Sequence, residues 1–220
     1  MSENTYVINI GRSLGSGGRV IGKRLADYFR IAYYDKEILT LAAGESGLSP
    51  DIFERNDERK GFFRSVIGSL APIMSGDFYN NQLSDDELFR IQSDAIRKAA
   101  NAHSCVFIGR CADYVLREKQ RKVNIFVAAD VKDRAERIMQ SQKISLKQAM
   151  KLIEQGDNAR ANYYNFYSNG TWGAADTYDL CINSSTLGID DTFEFVKEFV
   201  IKKVHPILPE GREADIPEIF

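Results

Sequence analysis

Gly11-Arg12-Ser13-Leu14-Gly15-Ser16-Gly17-Gly18-Arg19 is the stretch on which the fold turns. It follows a β-rich apolar run, Tyr6 to Ile10, and leads into a helical pattern, Gly18 to Phe29, with Ile21, Leu25 and Tyr28 on one face. Glycines at a strand-to-helix junction let successive backbone N–H groups turn toward one point. The helix aims its unpaired N–H groups and the positive end of its dipole at the same point. An anion, most naturally phosphate, is the expected guest, held by every residue of the stretch except Leu14. Four glycines and two arginines in nine positions exceed what a bare turn needs.

The common phosphate-loop pattern is GxxxxGK[ST]. Here Gly18 stands at the lysine and Arg19 at the Ser/Thr that would ligate magnesium. Arg19, with Arg12, is expected to supply the missing charge, since guanidinium pairs with phosphate bidentately. No replacement for the metal ligand is evident, so the metal ligands stay open.

Four further apolar runs lie beyond this junction: Ile31–Tyr34, Cys105–Gly109, Asn124–Ala128 and Tyr178–Asn183. Near-continuous apolar runs of this length suit strands buried on both faces of a parallel sheet. Helical patterns separate them over 87–101, 131–142, 145–155 (opening on a Ser145 cap) and 190–203. Strands alternating with helices predict an α/β doubly wound sheet whose ligand site lies at the carboxyl edge of the strands. Residues 44–85, with an apolar helical stretch at Phe62–Met74, are too long for a loop and read as a helical insertion. Residues 143–177, polar and crowded with Tyr163, Tyr164, Phe166, Tyr167 and Trp172, read as a helix ending in a lid-like loop, the aromatics packing beneath it. The tail, 206–220, carries three of the five prolines and reads as irregular.

Composition excludes several classes. Twenty-nine Lys and Arg against 31 Asp and Glu give a net charge of −2, which speaks against a nucleic-acid surface but not against a local cluster of arginines. No run approaches a membrane span, and Met1–Thr5 lacks a leader's basic and apolar regions. Three dispersed cysteines and two histidines suggest neither a disulfide framework nor a metal site, so a reduced, cytoplasmic protein is expected. Cys105 and Cys181, in strand runs, read as small core residues; Lys23 and His103 read as surface residues. Arg134 and Arg137 fit a solvated helix face. Oligomeric state is not legible.

In this order, Gly11–Arg19 with Ile21-Gly22 and Leu25-Ala26, Tyr33-Tyr34-Asp35-Lys36-Glu37-Ile38-Leu39, Phe107-Ile108-Gly109-Arg110-Cys111-Ala112-Asp113-Tyr114, Arg160-Ala161-Asn162-Tyr163-Tyr164 and Tyr178–Asn183 resemble the cytidylate kinase-like family across nearly the whole chain. The resemblance implies a P-loop NTPase fold: a five-stranded parallel sheet flanked by helices (core 1–43, 86–142 and 178–205), an insertion that binds a nucleoside monophosphate (44–85) and a lid (143–177). It implies transfer of a phosphoryl group from ATP, with Mg²⁺, to CMP or dCMP. It further implies Gly15–Gly18 and Arg19 on the β-phosphate, Asp35 at the acceptor entrance (a position that reads equally as the N-cap of a helix from Lys36), Arg110 on the acceptor, Arg160 and Asp157 in the lid, and Arg134 and Arg137 on a basic lid helix as the equal alternative to a solvated face. The Gly-Arg-Asp motif of cytidylate kinases reads Gly109-Arg110-Cys111 here, with Asp113 two positions on, which leaves base preference open. Two rivals follow from the departures: a nucleotide-binding regulatory protein with little turnover, and a kinase of another small acceptor.

Overall fold

The computed structural model describes residues 5–35 and 85–205. Five parallel strands form one sheet: β1 (Val7–Arg12), β2 (Ala32–Tyr34), β3 (Cys105–Ile108), β4 (Lys122–Ala128) and β5 (Leu180–Asn183), in the spatial order β2-β3-β1-β4-β5. Six α-helices accompany them among the described residues: α1 (Gly18–Phe29), α2 (Asp85–Ala102), α3 (Ala112–Val115), α4 (Val131–Gln142), α5 (Leu146–Ser168) and α6 (Ser184–Val204), with a short 3-10 turn at Ala175–Thr177. This is the P-loop NTPase arrangement, with β1 central and its outgoing loop at the carboxyl edge.

Both faces of the sheet are covered, which is why its strands read as continuous apolar runs. Alternate residues of β1 go to opposite sides. Ile8 and Ile10, in register with Val106 and Ile108 of β3 and with Val123 and Ile125 of β4, pack under α1 and α6. Val7, with Cys105 and Phe107, packs under α2 and α3. Each fully buried aliphatic side chain contributes about 1.5–3 kcal/mol. Asn9 is a polar exception on this central strand. It is 3% exposed and donates from Nδ2 to Oδ1 of its register partner Asn124 at 2.9 Å, while its own Oδ1 is buried with no hydrogen-bond partner among the described residues.

Several boundaries differ from expectation. The helix read over 145–155 runs on to Ser168, behind a Ser145–Gln148 capping box. The helix read from 190 begins at Ser184 and is interrupted by Gly188, whose φ of 77° is not helical. Cys181, read as a core residue, is exposed on edge strand β5, whereas Cys105 and Cys111 are buried. His103 is exposed and meets the Tyr34 hydroxyl at 2.7 Å. The proposed insertion, apart from its last residue, and the proline-rich tail lie outside the described residues.

Candidate active site

The glycine-rich stretch leaves β1 and enters α1 through two left-handed glycines, Gly15 (φ 79°) and Gly17 (φ 85°). A side chain is excluded at both. A Cβ on Gly15 would lie 2.9 Å from the Arg134 carbonyl oxygen, and one on Gly17 would lie 2.1 Å from Ile189 Cδ1. At Gly18 the obstacle is Arg12, whose Cβ would be 2.7 Å away. The missing lysine is thus a steric consequence: the Arg12 side chain, 7% exposed, runs past the place where a side chain at 18 would start. The rest of the loop is held from outside. Ser13 N–H donates to Val127 O (3.1 Å) and Leu14 N–H to Asp157 Oδ1 (2.8 Å). Four of the loop's carbonyls accept from side chains: Arg12 from Arg160 (3.5 Å), Leu14 from Arg134 Nε (2.7 Å), Gly15 from Arg137 (3.1 Å) and Ser16 from Ser184 Oγ (2.6 Å).

Beside the loop, between the ends of β1 and β3, a cleft collects Arg12, Arg110 and Arg160 with Asp113. Tyr163, Tyr164, Trp172 and Tyr178 wall it. Arg110 reaches it from an unusual backbone. Gly109, Arg110 and Cys111 have φ of 69°, 63° and 52°, three consecutive left-handed residues, and the turn closes through Ala112 N–H to Gly109 O at 3.2 Å. Non-glycine residues in this region cost about 1–2 kcal/mol each, so the surrounding packing must enforce the turn, and Cys111 is buried against Phe126, Tyr164 and Tyr178. Asp113 accepts from the Tyr164 hydroxyl at 2.6 Å. Burial raises the Asp113 carboxyl above its ordinary range, the Tyr164 bond opposing only in part. Burial and the neighbouring Asp113 push the Tyr164 phenol up, so it remains a donor.

A phosphate-type loop beside an arginine-lined cleft at the carboxyl edge is the layout of a phosphotransferase, and comparison with known proteins specifies which. Residues 7–186 match the model of the cytidylate kinase-like family. The chain belongs to that family. It is accordingly a nucleotide kinase by class. It is 27% identical over 217 residues to a protein named cytidylate kinase from Pyrococcus horikoshii, covering 98% of each chain. It is 26% identical to the one from Pyrococcus furiosus over the same share of both. A solved structure of an uncharacterized protein from Eubacterium ventriosum superposes with a TM-score of 0.66 at 26% identity, covering 89% of this chain and 98% of that one.

Measured against the family's layout, the anticipated site residues separate into three places. Gly11, Arg12, Arg110, Asp113 and Arg160 line the cleft together. Asp157 stands behind the loop, with Arg134 paired to its other carboxylate oxygen and Arg160 Nη1 3.9 Å from Oδ1. Arg19 turns to Asp35 and forms an ion pair with it. Lys23 pairs with Asp27 on the exposed face of α1. Two residues not singled out as site residues stand out. Arg134 is almost fully buried on the face of α4 that also carries Ala135 and Ile138, and an arginine on a core-facing stripe was the available signal. Ser184, fully buried, has no sequence signature.

The family implies ATP with Mg²⁺. The glycine cradle, which a Cβ would fill, fits a polyphosphate. The usual loop position does not fit a cation, because position 19 carries a guanidinium engaged with Asp35. Among the described residues no three His, Cys, Asp or Glu side chains converge. No described helix is long and apolar enough to cross a membrane.

Proposed function

We propose that the protein transfers the γ-phosphoryl group of ATP to CMP or dCMP. The observation that carries this is the convergence of Arg12, Arg110 and Arg160 on one cleft at the mouth of the phosphate loop, in a chain of this family. The backbone of Gly15–Gly18 and the start of α1 hold the β-phosphate, and Arg12 takes over the charge of the absent lysine. Arg110 holds the acceptor phosphate. Arg160, on the helix of the lid segment 143–177, faces the group in flight. Such transfer needs little covalent participation from the protein; alignment and neutralisation of charge supply most of the catalysis. Asp113 meets the acceptor base, an acidic acceptor for an exocyclic amine in a wall of aromatic rings. The Arg19–Asp35 pair flanks the acceptor side, and the insertion 44–85 contributes to binding the monophosphate. Any magnesium would arrive with the nucleotide.

Arg19 at the metal-ligand position favours a second reading, a nucleotide-binding regulator with little turnover. Cys111 in place of aspartate favours a third, a kinase of another small acceptor. A coupled assay of ADP release across CMP, dCMP, UMP, AMP, GMP and a set of non-nucleotide alcohols, with ATP binding measured alongside, separates them. Turnover confined to CMP and dCMP is expected. ATP binding without turnover on any acceptor selects the regulator, and turnover only with a non-nucleotide alcohol selects the third reading.

A further inference from the structure

We infer that Arg134, Arg137, Ser184 and Asp157 are positioning residues that pre-form the phosphate cradle by drawing the loop's carbonyls outward. This rests on the proposed ATP site. In a planar trans peptide the C=O of one residue and the N–H of the next point in opposite directions. Arg134 holds the Leu14 carbonyl at 2.7 Å, so the Gly15 N–H faces away from α4. Ser184 holds the Ser16 carbonyl at 2.6 Å, so the Gly17 N–H faces away from α6. Arg137 fixes the peptide between them through the Gly15 carbonyl at 3.1 Å, while Ser16 N–H closes back on Ser13 O at 3.2 Å. Arg134 and Asp157 act as a unit. The ion pair receives the N–H of Leu14 on its carboxylate (2.8 Å) and donates to the C=O of the same residue from its guanidinium. Both polar groups of one peptide-loop residue are thereby fixed by a single, almost buried pair.

Two N–H groups are thus oriented before any ligand arrives, in a loop that lacks the lysine. The rival assignment places these arginines on the transferred phosphoryl group, and kinetics separate the two. The variants are Arg137→Met, Ser184→Ala, Asp157→Asn and Arg134→Lys, the last unable to hold carbonyl and carboxylate together. The measurements are equilibrium ADP affinity, KM for ATP, KM for CMP, kcat and Tm. Arg137→Met and Ser184→Ala are expected to weaken ADP binding and raise KM for ATP about tenfold, the loss of one hydrogen bond to a charged-ligand site. Arg134→Lys is expected to do so by about 10–100-fold. KM for CMP and kcat at saturating ATP stay within about twofold. A fall in kcat with unchanged KM for ATP overturns the inference, as does ADP affinity equal to wild type in all four. A Tm loss without the split between the two KM values also overturns it. Arg137, half-buried, carries the test if Arg134→Lys does not fold. Wild-type protein that binds no ADP removes the functional reading beneath the inference; wild type that binds, with variants that bind equally, removes the inference alone.

Discussion

Position 18 shows how one side chain determines what its neighbour can be. Restoring the lysine of the common loop pattern is expected to harm the protein. The new Cβ would meet Arg12 Cβ at 2.7 Å and Val127 Cβ at 3.3 Å, atoms close to their own backbones that cannot swing aside. Overpacking of this kind costs about 1–3 kcal/mol. Gly18→Lys should therefore lower kcat/KM for ATP and the unfolding midpoint together, and Arg12→Gly/Gly18→Lys, which removes the Cβ at position 12, should recover part of both. Gain of activity in the single variant would remove Arg12 from the phosphate site. Asp113 carries the other residue-scale prediction. Its folded-state carboxyl titrates above the unfolded one, chiefly through burial. Folding therefore favours the protonated form. That contribution is fully present below the unfolded value, about 3.9, and is lost as pH rises through the folded value. Asp113→Asn, which keeps an acceptor for Tyr164, should be more stable than wild type at pH 7. The Tm gap should close as the pH is lowered toward 4. Turnover should fall if Asp113 meets the acceptor base.

Helix ends supply the next scale. Lys143 closes α4 in the left-handed region at φ 55° and is exposed, so glycine relieves backbone strain there without losing packing. Lys143→Gly should raise stability by about 0.5–1 kcal/mol, the backbone penalty less the entropy glycine adds to the unfolded chain. Two residues on, Ser145→Ala should lower it by about 1 kcal/mol through loss of the capping box. Urea midpoints at unchanged slope read both. The Ser145 cap and the whole of α4 were legible because local chemistry specifies them. The second half of α5 was not. Gly156-Asp157-Asn158 looks like a helix stop, but Gly156 lies where a Cβ would come 2.9 Å from Leu14 Cδ2. Together with the Asp157–Leu14 bond, this contact holds the helix against the loop. Tertiary contact overrode local preference, and single-chain patterning carries no record of it.

At the scale of the molecule, the sheet and its ligand edge were readable, because a doubly covered parallel sheet writes continuous apolar runs and a glycine turn marks the edge. The cleft was readable only as a set of arginines; that Arg19 leaves it for Asp35 while Arg134 is drawn into the loop depends on which helix faces lie inward. The three cysteines sample this arrangement independently. Cys181 is exposed on the edge strand. Cys105 lies within the sheet, its thiol pushed up to about 12 chiefly by burial, so it is both covered and un-ionised at neutral pH. Cys111 is buried beneath Tyr164 and Tyr178 at the floor of the arginine cleft. A thiol-reactive probe such as DTNB should thus titrate one cysteine rapidly in the native protein and all three after denaturation. Desolvation and nearby Asp176 raise the Cys181 thiol, so its rate should climb as the pH passes above neutral. Cys111 should react slowly, at the rate at which α5 and the Trp172 loop lift off the cleft, and should be protected when CMP and ATP are bound together. Peptide mapping of the labelled protein assigns each phase. Equal rates for Cys111 and Cys181, or a Cys111 rate indifferent to both nucleotides, would show that the cleft does not close over its ligands.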